Sequence, residues 1–193
     1  MTTQRADGAY ASYAELARRH LEGADFQVRI AHRPESGIAI LAPHGGAIEE
    51  GTSEVAQALA GVEFNLYLFE GLRAAGNYAA LHLTSHRFDE PRCLELLAGC
   101  DHVIAIHGCR GDAPQALLGG LDTALKERIG AAIATTAIDV RMSGHQYRAV
   151  HPHNICNRGR RRAGVQIELT TALRFGQAHA AMVSAIRSVL LAL

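Results

Sequence analysis

The chain is expected to fold as a three-layer α/β sandwich around a mixed, mostly parallel sheet. Three observations carry that expectation. Short apolar, β-branched runs recur at Ile38-Ala39-Ile40-Leu41, Val103-Ile104-Ala105-Ile106 and Val165-Gln166-Ile167-Glu168-Leu169. Stretches with helical spacing separate the strand-like runs, and that alternation places helices on both faces of a sheet. Two of the runs end in the same way, at His44-Gly45 and at His107-Gly108. In open α/β sheets the crevice beyond the carboxyl ends of the strands is where ligands bind, so both histidines face one cavity if their strands are neighbours.

The elements follow in order. Residues 9–21, starting at Ala9, read as an amphipathic helix with Tyr13, Leu16, Ala17 and Leu21 on one face and Gly23 as its stop. A strand at 27–31 precedes the Ile38 strand and the His44 loop. Thr52 is then expected to cap a helix that ends at Gly61, with Glu54 favourably charged in the first turn. Residues 64–69 and 79–84 read as two further strands, and Pro91 opens a helix after Asp89 that stops at Gly99. Beyond the His107 strand come a helix at 121–134 and a strand at 137–142. The stretch 143–163 is long, basic and polar, and a loop of that length in a compact domain is usually functional. The strand at 165–169 and a helix at 176–191 close the chain, with Met182, Ile186 and Val189 packing on the sheet. No internal repeat or low-complexity linker interrupts the pattern.

Composition bounds the function. The 193 residues suit a single domain spanning 1–193, and 48% hydrophobic with 20% charged residues is ordinary globular usage. Formal net charge is zero, so attraction for a polyanion must come from local clusters. The densest is Arg158-Gly159-Arg160-Arg161-Arg162. Cys93, Cys100, Cys109 and Cys156 lack paired metal-knuckle spacing, and the stretch Met1 to Asp7 is polar where a secretory signal needs an apolar run. The expectation is reduced thiols and a cytoplasmic protein, released by cell lysis if a phage encodes it. The longest apolar tract, near 189–193, is too short to span a bilayer, so no membrane association is expected.

The chemistry concentrates at the strand ends. Glycines beside His44 allow a sharp turn, so that its imidazole and Glu49 can converge from the two ends of one short loop. Together with His107 these residues form the ligand set of a hydrolytic zinc site: two imidazoles, one carboxylate and a fourth position left for water. Glu168, an acid inside an apolar strand, needs a partner or a role. A salt bridge is the structural explanation for it. The catalytic one is that it takes a proton from the attacking water and delivers it to the leaving amine. Arg110 and Arg158, in the adjoining loops, could grip a substrate carboxylate bidentately. Two alternatives stand beside this site: His151-Pro152-His153 as a second metal-binding pair, and Cys109 as a fourth ligand that would close a structural site.

The strings His44-Gly45-Gly46-Ala47-Ile48-Glu49-x-Gly51-Thr52-Ser53-Glu54, Tyr67-Leu68-Phe69-Glu70-Gly71, Leu81-His82-Leu83-Thr84-Ser85, Phe88-Asp89-Glu90-Pro91, Ile106-His107-Gly108 and Asn154-x-x-Asn157-Arg158-Gly159, followed by Gly164-Val165-Gln166-Ile167-Glu168-Leu169, occur in that order. Together they resemble the zinc-dependent poly-γ-glutamate hydrolase family of bacteriophages and bacteria, over residues 37–174. The resemblance implies a zinc carboxypeptidase-like fold and one Zn²⁺ per chain. It implies His44, Glu49 and His107 as metal ligands and Glu168 as the catalytic glutamate. Asn157, inside the shared string, joins Arg110 and Arg158 as a candidate substrate-binding residue. The run Arg158 to Arg162 and the stretch 141–153 match no shared motif. The expected activity is hydrolysis of γ-glutamyl amides in an acidic polymer or peptide. The competing class is a non-catalytic α/β module that binds nucleic acid or another polyanion through its arginine run, and nucleic acid is the less favoured partner.

Overall fold

A computed structural model of the chain describes residues 10–193. The helix start expected at Ala9 and the polar stretch Met1 to Asp7 lie outside the described residues. The elements are α1 (Tyr13–Ala17), β1 (Phe26–Ala31), β2 (Ile38–Gly46), α2 (Thr52–Ala60), β3 (Asn65–Gly71), α3 (Asn77–Leu81) and α4 (Pro91–Ala98), then β4 (His102–Cys109), β5 (Gln115–Gly119), α5 (Thr123–Ala134), β6 (Asp139–Arg141), a 3₁₀ turn (Ile155–Arg158), β7 (Val165–Thr170), α6 (Thr171–Phe175) and α7 (His179–Leu190).

One seven-stranded sheet runs in the order β1-β3-β2-β4-β7-β5-β6. Its centre, β3-β2-β4-β7, is parallel, while β1 and β5 run antiparallel to their inner neighbours β3 and β7. The sheet is therefore mixed and mostly parallel, as expected. Strand alternation sorts side chains onto two faces. Ile38, Ile40, Ala42, Ile104, Ile106, Val165, Ile167 and Leu169 pack with α2, α5 and α7 through Val55, Leu59, Ile129, Ile133, Met182 and Ile186. Ala39, Leu41, Tyr67, Phe69, Val103 and Ala105 pack on the opposite face with Leu16 of α1, Leu81 of α3 and Leu97 of α4. No helix among the described residues is long and apolar enough to cross a membrane.

Several local expectations change. Residues 79–84 are not a strand. Gly76 sits in the left-handed region at φ 72°, Asn77 Oδ1 accepts from the Arg73 amide at 3.0 Å, and the chain turns into α3 instead. Leu81 and Leu83 are both buried, Leu81 at the end of α3 and Leu83 in the segment that follows it. β5 escaped the sequence reading because Ala116-Leu117-Leu118 is short and has no alternation. Thr52 is the first helical residue of α2, behind Gly51, and its hydroxyl donates to the Glu49 carbonyl at 2.8 Å. α4 opens at Pro91 as expected, and Glu90 caps it, accepting from the Cys93 amide at 2.9 Å. The closing helix is α7, and a short helix not expected from the sequence, α6, precedes it and ends at Gly176.

Candidate metal centre

Strand order creates the site. β3 lies on one side of β2 and β4 on the other, a topological switch point where the flanking connections diverge and leave a crevice. Pairing between β2 and β4 runs from Ile38↔His102 to Leu41↔Ala105, and both strands continue past it. The crevice opens there, just before His44 and His107.

A bulge then aims His44 into it. Against β3, Ala42 pairs with Leu68 and Gly45 with Glu70, so Pro43 and His44 together oppose the single residue Phe69. One inserted residue inverts the alternation. Without it His44 would share a face with Ile40 and Ala42, under α2. With it His44 points to the opposite face, which is also the face of His107, Gln166 and Glu168. Gly46 completes the turn at φ 59°, and a Cβ there would sit 2.7 Å from the Gly71 carbonyl oxygen. The Glu49 amide donates back to the His44 carbonyl at 2.9 Å, closing the loop.

His44 Nδ1 lies 3.1 Å from His107 Nδ1 and 3.3 Å from Glu49 Oε1, and His107 Nδ1 lies 3.5 Å from Glu49 Oε2. His44 Nε2 bonds the Leu83 carbonyl oxygen at 2.8 Å, so it carries the proton and Nδ1 keeps a lone pair aimed inward. A tetrahedral zinc with bonds of about 2.0–2.1 Å has ligand–ligand edges of about 3.3–3.4 Å. The donor set thus fits such an ion in both chemistry and spacing. The Gly108 amide donates to Glu49 Oε2 at 2.8 Å, tying the two loops together. Burial alone would raise the Glu49 pKa, but when the imidazoles are protonated the charge of His44 and the hydrogen bonds from His107 and His44 outweigh it and hold the carboxyl well below its usual range. Burial would lower His107, yet the Glu49 hydrogen bond and the negative charges of Glu168 and Glu49 leave it raised.

Glu168 stands beside His107 in the β4–β7 register, on neighbouring parallel strands. It is buried, and its Oε1 accepts from Gln166 Nε2 at 3.0 Å, while Gln166 Oε1 accepts from Asn154 Nδ2 at 3.0 Å. A cavity of about 420 Å³ opens over His44, Glu49, His107 and Glu168. His82 completes its floor, a residue to which the sequence reading assigned no role. Its Nε2 lies 3.7 Å from Glu49 Oε1, and His44, Glu49 and His82 form a group whose ligand atoms all lie within 4.8 Å of one another. The signal was present in Leu81-His82-Leu83-Thr84-Ser85, but the strand assignment hid it.

The other candidates separate. Arg110 borders a second cavity, of about 540 Å³, that shares Glu49 with the first and is also lined by Arg174, Tyr78 and Phe175. Arg158 lies against Leu94 and Ala98 of α4, in a different cavity from Glu49, so it is not placed to grip a substrate there. Asn157 is fully buried, its amide engaged by four backbone groups, and has no hydrogen-bonding capacity to offer a substrate. Within the arginine run, Arg160 pairs with Asp101 and Arg161 with Asp122, so two of its charges are neutralised internally. His151 lines the first cavity, but its Nδ1 accepts the His153 amide at 3.1 Å, and neither His153 nor Cys109 joins the ligand cluster.

Residues 10–187 match the family described as poly-gamma-glutamate hydrolase. The chain belongs to that family. Among relatives of this poly-gamma-glutamate hydrolase family member, the UPF0714 protein YndL of Bacillus subtilis (strain 168) is 38% identical over 173 residues, covering 88% of this chain and 66% of YndL. The SPbeta prophage-derived UPF0714 protein YoqZ of the same organism is 37% identical over 139 residues, covering 71% of this chain and 50% of YoqZ. The chain thus spans half to two thirds of the length of these two relatives. A solved bacteriophage poly-gamma-glutamate hydrolase superimposes with a TM-score of 0.88 at 27% identity, covering 96% of this chain and 97% of that one. The zinc-free apo structure of YndL gives 0.86 at 30% identity, covering 95% and 98%.

Proposed function

We propose that this family member is a zinc-dependent amidohydrolase that cleaves γ-glutamyl amide bonds in poly-γ-glutamate or a related acidic peptide. The observation that carries the proposal is the convergence of His44 Nδ1, His107 Nδ1 and the Glu49 carboxylate in one cavity, with Glu168 the cross-strand neighbour of His107. Those three residues would hold one zinc ion, with His82 as a further donor within reach. When bound, zinc supplies Lewis acidity, polarising an amide carbonyl and lowering the pKa of water. The Leu83 carbonyl keeps His44 in the tautomer that presents Nδ1, and the Gly108 amide holds Glu49 in place. Gln166 orients Glu168, which takes the proton of the attacking water and passes it to the leaving amine. Arg110, at the rim of the second cavity, is placed to meet a carboxylate of the same chain. YndL, known in a form called zinc-free, and the phage hydrolase support both the cofactor and the substrate class.

The test pairs elemental analysis with a substrate panel of poly-γ-glutamate, α-linked glutamyl peptides and a neutral amide. About one zinc per chain and preferential cleavage of poly-γ-glutamate are expected. His44→Ala and His107→Ala should lose the metal, because two remaining ligands retain it poorly. Full zinc content in both variants would remove this centre. Salt-sensitive binding of RNA or DNA with no amide cleavage would establish the polyanion-binding module instead.

A further inference from the structure

The first cavity is bordered by residues 146–150, part of the stretch 141–153 that matches no family string. This segment is fastened along its backbone. The Gly120 amide donates to the Arg148 carbonyl at 2.9 Å, and Asn157 Nδ2 donates to the Ala149 and His151 carbonyls at 2.8 and 3.0 Å. Asn157 is itself clamped, its Oδ1 accepting the Gly164 and Leu121 amides at 3.1 and 3.3 Å. Between these anchors Ala149 is held at φ 51°, a left-handed conformation that an alanine adopts only when its surroundings impose it.

The product of this construction is the position of Arg148. Arg148 is exposed and lines the cavity, and its guanidinium pairs with no carboxylate among the described residues, whereas those of Arg29, Arg73, Arg92, Arg160, Arg161 and Arg187 all do. Thr84 Oγ1, in the wall of the same cavity, is buried without a hydrogen-bond partner. A guanidinium with open donors presents a planar fork that matches a carboxylate, and a hydroxyl beside it adds a further donor.

We infer that Arg148 anchors a free carboxylate of the substrate, and that Asn157 is the positioning residue that holds the Arg148 segment over the cavity. The identity of the ligand as a γ-linked glutamate chain rests on the hydrolase reading; the carboxylate subsite does not. Asn157 thereby acts on the substrate through Arg148 without touching it.

The experiment is equilibrium binding of a γ-linked glutamate trimer to zinc-loaded protein carrying Glu168→Gln, which slows turnover, alongside hydrolysis of poly-γ-glutamate by protein with Glu168 intact. Arg148→Lys keeps the charge but loses the fork, and it should weaken trimer binding about 10-fold or more, with Arg148→Ala weakening it up to about 100-fold. Zinc content and melting temperature should stay unchanged in both. Asn157→Asp keeps the shape yet removes the two donated hydrogen bonds, and it should weaken binding while adding nothing to Arg148→Ala in the double variant. Binding of the trimer unaltered in both Arg148 variants, or absent in the parent, overturns the subsite. Additive loss in the double variant overturns the role of Asn157; should Asn157→Asp fail to fold, the Arg148 pair decides alone. Arg148-dependent binding without any hydrolysis would keep the subsite and remove the hydrolase reading, and hydrolysis with Arg148-independent binding would do the reverse.

Discussion

β7 turns Val165, Ile167 and Leu169 toward α2, α5 and α7, and Gln166 and Glu168 toward the opposite face, where His107 lies across the register. Both sets are buried, yet they affect the protein in opposite ways. Each fully buried aliphatic side chain stabilises the fold by about 1.5–3 kcal/mol. Each buried polar group costs about 1–3 kcal/mol unless it is hydrogen-bonded. The polar face is therefore tolerated because it is networked: Asn154 holds Gln166, Gln166 holds Glu168, and Glu49 holds the Gly108 amide and bridges His44 and His107. On the apolar face packing makes stability, and on the polar face stability is exchanged for preorganised chemistry. Substitutions should accordingly separate the two.

The largest effect is expected on the polar face. Glu168→Gln should lower amide hydrolysis by about 10²–10⁴-fold with zinc content and melting behaviour kept, since the amide fills the same space but cannot accept the proton. Wild-type turnover by the zinc-loaded variant would return Glu168 to a structural role, and unfolding would mark it as one half of a buried pair. One residue earlier on the same strand, Ile167→Ala should do the opposite. It should destabilise the protein by about 2–5 kcal/mol in denaturant titration, while the folded fraction retains zinc and specific activity. If Ile167→Ala instead abolished activity at full folding, the separation of the faces would fail.

The smallest effect lies at the outer surface and depends on pH. The Arg160 hydrogen bond holds the Asp101 carboxyl below its ordinary value. A lowered folded-state pKa means that the unfolded chain binds more protons in that range, so the stabilisation is present above about pH 4, near the ordinary aspartate pKa, and is lost as pH falls through the lowered value. The melting temperature of Asp101→Asn should therefore fall slightly below that of the unaltered protein at neutral pH, with the gap closing in acid. A gap that widened in acid would reverse the assigned sign. Neither zinc content nor hydrolysis should respond, because Asp101 and Arg160 lie outside both cavities that share Glu49.

Much of this was legible in the residues. The apolar runs at Ile38, Val103 and Val165 became β2, β4 and β7, Pro91 and Gly99 bounded α4, and Gly61 ended α2. These are local properties: strand alternation, proline at a helix start and glycine at a helix end act over a few neighbours. The pairing of His44 with Glu49 across a glycine turn was equally local. Arg158 and Asn157 show where such reasoning stops. Both stand in a string shared with the family, yet a 3₁₀ turn buries Asn157 as a backbone clamp and leaves Arg158 beside α4.

What no stretch of sequence contains is the long-range arrangement. That β2 lies between β3 and β4, that a bulge at Pro43 and His44 inverts which face the histidine occupies, and that Glu168 comes level with His107 all depend on pairings between residues dozens of positions apart. The same holds for His82, delivered by an extended segment after α3, and for Arg148, carried over the cavity by hydrogen bonds to Gly120 and Asn157. Residue types and spacing determine which groups can ligate, donate or pack. Whether they meet is decided by strand order and register, because a shift of one residue sends a side chain to the other face of the sheet.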